Sequence, residues 1–126
     1  MSKKILYSLE YRTKASAQIL YEFLISPSGL QEWFADKIDI KDDVYTFWWT
    51  GSPQTARLLD HTEDKHVKYR WEDSPADEYF EFKIEKTEIS NQTILVIRDF
   101  ADKKDVKDAS QLWEFQVKEL LHRIGS

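Results

Sequence analysis

The chain contains no cysteine, only three glycines and three prolines, and no excess of basic residues. Without thiols, disulfides, thiolate nucleophiles and zinc–thiolate sites are excluded. That usage suits a reducing compartment, and a cytoplasmic location is expected. So few glycines and prolines favour long regular elements over loops. The formal net charge is −5, with Lys and Arg interleaved among Asp and Glu instead of clustered. Phosphate backbones need a basic patch and anionic lipid surfaces a polybasic segment, so nucleic acid is not an expected partner and neither is a membrane surface. No apolar stretch approaches the roughly 18 residues that a membrane-spanning helix requires, and membrane insertion is not expected.

What the chain does have is rings. Five Trp, six Tyr and seven Phe occur in 126 residues, and each fully enclosed ring buries roughly 150–250 Å². A single domain covering residues 1–126, with a core dominated by aromatics, is the expectation.

The clearest pattern is the last two dozen residues. From Lys104 to Ile124 the sequence reads as one long amphipathic helix. At about 100° per residue, Val106, Ala109, Trp113, Val117, Leu120 and Ile124 fall on one narrow stripe, flanked by Leu112 and Leu121. Arg123 sits in the last turn and Gly125 at the C-cap position, both suited to a helix end. Such a stripe needs a surface to lie on, and the preceding residues offer a sheet.

Ile5, Tyr7, Leu9 and Tyr11 alternate with Leu6, Ser8, Glu10 and Arg12 as a first strand with one apolar face. Ala15–Leu24 reads as a helix capped by Ser16, with Ile19, Leu20, Phe23 and Leu24 as its apolar stripe. Ser26 and Pro27 start a short second helix, read as Leu30–Phe34. Extended segments follow at Lys37–Lys41, Val44–Thr50, Gln54–Thr62, His66–Glu72, Tyr79–Glu88 and Gln92–Phe100. The turns between them are short: Asp42-Asp43, Gly51-Ser52-Pro53, Glu63-Asp64-Lys65, Asp73–Ala76 and Ser90-Asn91. Connections that short force antiparallel neighbours. The fold class is therefore α+β: a curved antiparallel sheet of about seven strands, ordered strand, two helices, six strands, then the long helix.

Several segments resemble one family. Ser26-Pro27-Ser28-Gly29-Leu30-Gln31-Glu32-Trp33-Phe34 is similar to a proline–glycine–leucine–tryptophan–phenylalanine helix start, and Val67-Lys68-Tyr69-Arg70-Trp71 to a strand ending in tryptophan. Leu112-Trp113 with Leu120 and Leu121 fits the family's terminal helix. Together with the element order, these residues make the chain resemble the START-like, helix-grip superfamily. Within it, the activators of the ninety-kilodalton heat-shock chaperone's ATPase and the small single-domain bacterial members are the nearest in kind. The resemblance implies an apolar cavity between helix and sheet, holding a small apolar or amphipathic molecule and no cofactor. Its candidate lining is Trp33 and Phe34 from the short helix, Trp49, Tyr69, Trp71, Phe80 and Phe82 from the sheet, and Trp113, Gln116 and Val117 from the long helix. The competing reading is that these rings simply fill the interior.

Other chemistry has little support. His61 and His66 flank one turn beside Glu63 and Asp64, a pattern that a metal could use but a solvated hairpin tip explains. His122 falls on the water-facing side of the helix. No serine–histidine–acid motif and no glycine-rich phosphate loop occur, so no catalytic residue is assigned. The resemblance also admits a cyclase or hydratase, which would need a polar pair in the pocket; Tyr69 or Tyr79 with a nearby acid is the nomination. Ser110 and Gln116 are read as rim residues bonded to backbone or water, and Arg98 and Asp99 as exposed strand-end charges. Adjacent Trp48 and Trp49 must face opposite ways, and Trp49 is placed inside with Tyr45 and Phe47. Trp48 and Phe115 would then be exposed, and self-association or a chaperone partner could use them.

Overall fold

A computed structural model describes residues 4–90 and 92–125. Asn91, which the sequence reading puts in the last turn, lies outside the described residues. The order is β1 (Lys4–Thr13), α1 (Ala17–Ile25), α2 (Pro27–Leu30), β2 (Lys37–Lys41), β3 (Val44–Trp49), β4 (Ser52–Thr62), β5 (His66–Trp71), β6 (Phe80–Lys86), β7 (Thr93–Asp102) and α3 (Val106–Arg123), with one 3-10 turn at Lys103–Asp105 before α3. The strands make one sheet in the order β1-β7-β6-β5-β4-β3-β2. Every pairing is antiparallel. The expected strand–helix–helix–six strands–helix arrangement is therefore present.

Local chemistry explains the tight connections. Asp42 and Asp43 both hold positive φ, 49° and 66°, between the paired residues Lys41 and Val44. Thr50 and Gly51 do the same, at 49° and 82°, between Trp49 and Ser52. Two successive positive φ values are the signature of the turns that match strand twist in a two-residue hairpin. For that reason β4 begins at Ser52, earlier than the expected Gln54, and Thr50 belongs to the turn and not to β3. A register shift between Leu58 and Asp60 puts a bulge in β4, which bends and twists a strand locally.

The two short helices are locked together by one serine. Ser26 Oγ donates to Glu22 O at 2.7 Å and accepts from Gly29 N at 3.0 Å, closing α1 while opening α2. Pro27 occupies the first turn, where its missing N–H costs nothing. A Cβ on Gly29 would sit 2.6 Å from both Glu22 O and Phe23 Cα, so only glycine lets the two helices approach this closely. The regular part of α2 ends at Leu30, sooner than expected. Residues 31–34 continue as hydrogen-bonded turns, including Phe34 N to Leu30 O at 2.7 Å.

Helix α1 ends inside the protein, and its last carbonyls need donors. Three rings supply them. Trp33 Nε1 donates to Phe23 O at 2.8 Å, Tyr69 Oη to Leu24 O at 2.7 Å and Tyr45 Oη to Ile25 O at 2.7 Å. The aromatic core is thus also the C-terminal cap of a helix.

Helix α3 lays Trp113, Val117 and Leu120 into the core, all buried. Its Trp113 ring lies 5.8 Å from both Phe34 and Phe82. His122 faces solvent as expected. At the far end, Arg123 bridges Glu119 at 2.9 Å and reaches Glu32 at 3.7 Å, linking α3 to the turn after α2.

Candidate functional site

Alternation decides what faces α3. In β7, Leu95 and Ile97 are fully buried and Ala101 nearly so, so Asp99 shares their inward face. In β3 the same rule sends Tyr45 and Phe47 inward and Trp49 with them. Trp49 Nε1 is held by Phe34 O at 2.6 Å. Trp48 turns to the other face, where the Lys37 ammonium lies 5.1 Å from its ring.

Between α3 and the sheet lies a partly enclosed cavity of about 320 Å³. Phe34, Trp49, Trp71 and Trp113 are its aromatic walls, and Ala109 and Leu112 give the helix lip. Gln54, Asp99 and Gln116 contribute the polar groups. Of the ten residues named from sequence, five line this space: Phe34, Trp49, Trp71, Trp113 and Gln116. The other five do not. Trp33, Tyr69, Phe80, Phe82 and Val117 are buried filler packed beneath it. Trp33 and Tyr69 use their polar ends on α1, and Phe80 and Phe82 lie between neighbouring rings.

Asp99 is the residue that sequence reasoning misplaced. It is not an exposed strand-end charge. Its Oδ2 accepts from Trp113 Nε1 at 3.0 Å and from Tyr7 Oη at 3.4 Å, and its Oδ1 accepts from Phe100 N at 2.7 Å. Burial pushes the Asp99 carboxyl up from 3.8, and the donors from Trp113, Phe100 and Tyr7 oppose that rise. Burial and the Asp99 charge together push the Tyr7 phenol upward. The signal was available: Asp99 has the same parity as Leu95 and Ile97. Arg98, one residue earlier, faces outward and lies 4.0 Å from Glu81. Gln116 bonds backbone as expected, Nε2 to Phe34 O at 3.1 Å, and still borders the cavity. Ser110 instead lines a shallow groove with Leu9 and Tyr11.

The other candidates resolve into structural roles. His61 Nδ1 lies 3.0 Å from Tyr21 Oη, and His66 Nε2 lies 3.1 Å from Asp60 Oδ2. Among the described residues no group of three or more side chains could hold a metal. Tyr69, nominated for acid–base work, is fully buried and its phenol is pushed far up, first by burial. Tyr79 packs edge-on to Phe100 at 5.1 Å with the Lys68 ammonium 4.0 Å from its ring, outside the cavity. A second, open groove runs along the outer side of Phe34 and Trp49, bordered by Leu112 and Phe115 with Glu32, Asp36 and Glu119. Trp33, Phe34 and Trp49 border the same groove as Phe115, and Trp48 does not. No helix among the described residues is long and apolar enough to cross a membrane.

Comparison with known proteins agrees with this architecture. A family model for the START-like superfamily domain matches residues 1–126. The protein BfR322 from Bacteroides fragilis is 30% identical over 95% of this chain and 90% of its own, with a TM-score of 0.68. The Aha1 dimer from Colwellia psychrerythraea superposes at a TM-score of 0.81 with 18% identity, covering 95% and 96% of the two chains. An uncharacterised protein from Bacillus thuringiensis gives 0.80 at 12% identity, covering 97% and 100%. No curated protein matches the chain in sequence. With its seven-stranded antiparallel sheet gripping one long C-terminal helix, the chain belongs to the START-like superfamily.

Proposed function

We propose that this protein is a binding module that holds a small apolar or amphipathic molecule in the cavity under α3. One observation carries the reading: aromatic walls surround an unfilled space of about 320 Å³ that also presents Asp99, Gln54 and Gln116. Small-molecule sites combine apolar walls with a few convergent polar groups, in volumes of roughly 300–1,000 Å³. The present cavity is at the lower end, which favours a compact ligand or one end of a longer one over a two-chain lipid. No step of covalent chemistry is assigned, because no nucleophile–base pair faces the space. The cavity lies where the helix bridges the sheet, so ligand and helix docking are coupled.

The test is a titration of the full chain with neutral aromatic and short-chain amphipathic molecules, followed by the indole N–H resonances. Saturable shifts of Trp49, Trp71 and Trp113 are expected. A panel that leaves all three unmoved overturns the reading.

A second reading, a protein-contact module, is favoured by two side chains. Leu112 and Phe115 are 62% and 75% exposed on adjacent turns of α3, beside the open groove. Contiguous apolar exposure of this kind marks contact surfaces, and the Colwellia relative is described as a dimer. Light scattering across a concentration series separates a monomer from a self-associating chain, and capture of a stoichiometric chaperone would support the partner-binding form.

A further inference from the structure

Asp99 brings to the cavity a carboxylate that no cation among the described residues pairs. Asp99 accepts hydrogen bonds from Trp113, Tyr7 and Phe100, all neutral donors. Among the described residues no Lys or Arg forms an ion pair with it. Lys4, the cation whose field reaches Asp99, is itself engaged by Glu78 at 3.4 Å. A carboxylate withdrawn from water without a cation is costly. The three donors keep the carboxylate oriented, but they add no positive charge.

Around that carboxylate stand Phe34, Trp49, Trp71 and Trp113. Trp49 and Trp71 sit 6.0 Å apart at 61°, and Phe34 meets Trp49 at 5.4 Å and 75°. Rings inclined to one another enclose a space on several sides, and tryptophan is the side chain whose face attracts cations best. Two of these indoles have their N–H groups already committed, Trp49 to Phe34 O and Trp113 to Asp99. Their remaining offer to a ligand is the negative ring face. Gln116 gives one of its two amide N–H groups to Phe34 O, leaving its oxygen as an acceptor and its second N–H as a donor. Ring faces and a carboxylate are negative or electron-rich, while the amides of Gln54 and Gln116 offer both polarities, so the one full charge that the lining brings to a ligand selects for positive charge.

Resting on the reading of the cavity as a ligand site, we propose that its ligand carries an organic ammonium group, seated against the Trp49, Trp71 and Trp113 rings with its charge toward Asp99. A methylated ammonium suits the site because it is large, weakly hydrated and apolar at its surface, matching ring walls that a strongly hydrated Lys-type ammonium would not. The cavity is only partly enclosed, and Leu112 on its helix lip is exposed, so a substituent can extend past that lip to solvent.

The experiment compares choline with 3,3-dimethylbutan-1-ol, the neutral compound of nearly identical shape, by indole N–H shifts of the full chain. Choline is expected to bind at least about tenfold tighter, the size of a Coulombic and cation–π preference in a partly desolvated site. In Asp99→Asn the choline preference should fall by about threefold or more, the ring faces keeping the remainder. Trp71→Leu, which leaves the carboxylate in place, should weaken choline more than the alcohol. Equal binding of both probes to the unmodified protein overturns the cation assignment while leaving the cavity reading intact, as does an undiminished choline preference in Asp99→Asn. Binding of neutral aromatic molecules with no response to choline has the same meaning. If neither choline nor any neutral probe moves the three indoles, both readings fail together. The comparison on the unmodified protein stands whether or not either variant folds.

Discussion

Trp113 Nε1 donates to Asp99 Oδ2 at 3.0 Å, tying the middle of the long helix to the strand beneath it at the floor of the cavity. The helix grip is therefore polar as well as greasy at this point. One indole both fills the core against Phe34 and Phe82 and orients the one carboxylate that lines the cavity among the described residues.

That carboxylate makes a pH prediction with a definite sign. Burial raises the Asp99 pKa in the folded chain above 3.8. Below the unfolded value the group is protonated in both states and costs nothing. As pH rises through the folded value, the folded state must ionise a group that the unfolded chain ionises more easily, and stability is lost. Chemical denaturation of the wild type and Asp99→Asn across pH 3.5 to 7 should show the difference shifting in favour of the variant as pH rises. Carbon-detected NMR of the Asp99 carboxyl should give a midpoint above 3.8; a midpoint at or below it contradicts the burial argument.

Tyr69 tests the aromatic cap. Its hydroxyl is the donor to Leu24 O at the buried end of α1. Tyr69→Phe keeps the ring and orphans the carbonyl, which should cost about 1–3 kcal/mol. Equilibrium urea unfolding measures this, with hydrogen exchange of α1 amides rising first. An unchanged midpoint would mean that water reaches Leu24 O.

Gly29 tests the close approach of the two short helices. Gly29→Ala places a methyl 2.6 Å from the Glu22 carbonyl and the Phe23 Cα, both backbone atoms that cannot swing aside. The expected cost is at or above the upper end of the about 1–3 kcal/mol seen for overpacked sites, read as a loss of thermal stability. Gly125→Ala, with open space around its Cβ but a φ of 76°, should cost less, about 1 kcal/mol.

Phe115 tests the surface. At 75% exposure it contributes little to the fold, and Phe115→Ser should change stability by no more than about 0.5 kcal/mol. If the groove beside it mediates self-association, the same substitution should move the sedimentation behaviour to monomer at concentrations where the wild type associates. Leu120→Ala, by contrast, removes a fully buried side chain of α3 and should cost about 2–5 kcal/mol.

Much of the fold was legible because it depends on periodicity. The stripe from Val106 to Ile124, the alternation of Phe80, Phe82 and Ile84, and the Ser26-Pro27 helix start all survive in the structure. These are local signals, set by 3.6-residue and 2-residue repeats. The boundaries that moved did so at turns. Thr50 left its strand because a two-residue loop needs positive φ at both positions, a demand that side-chain identity expresses weakly when the residue is threonine.

The candidate site was half legible for a different reason. Sequence marks which aromatic residues face inward, but not which of them meet another ring and which border empty space. Phe80 and Trp71 share β5–β6 packing at 4.9 Å, yet only Trp71 reaches the cavity. The ring count, the missing thiols, the element order and the side of each strand that faces the core came from the chain's own pattern, because burial follows a residue's spacing. The position of the void, the turning of Asp99 toward Trp113 and the use of Trp33, Tyr45 and Tyr69 as caps for α1 came from tertiary packing. They depend on distances between residues far apart in the chain, and no local repeat encodes those distances.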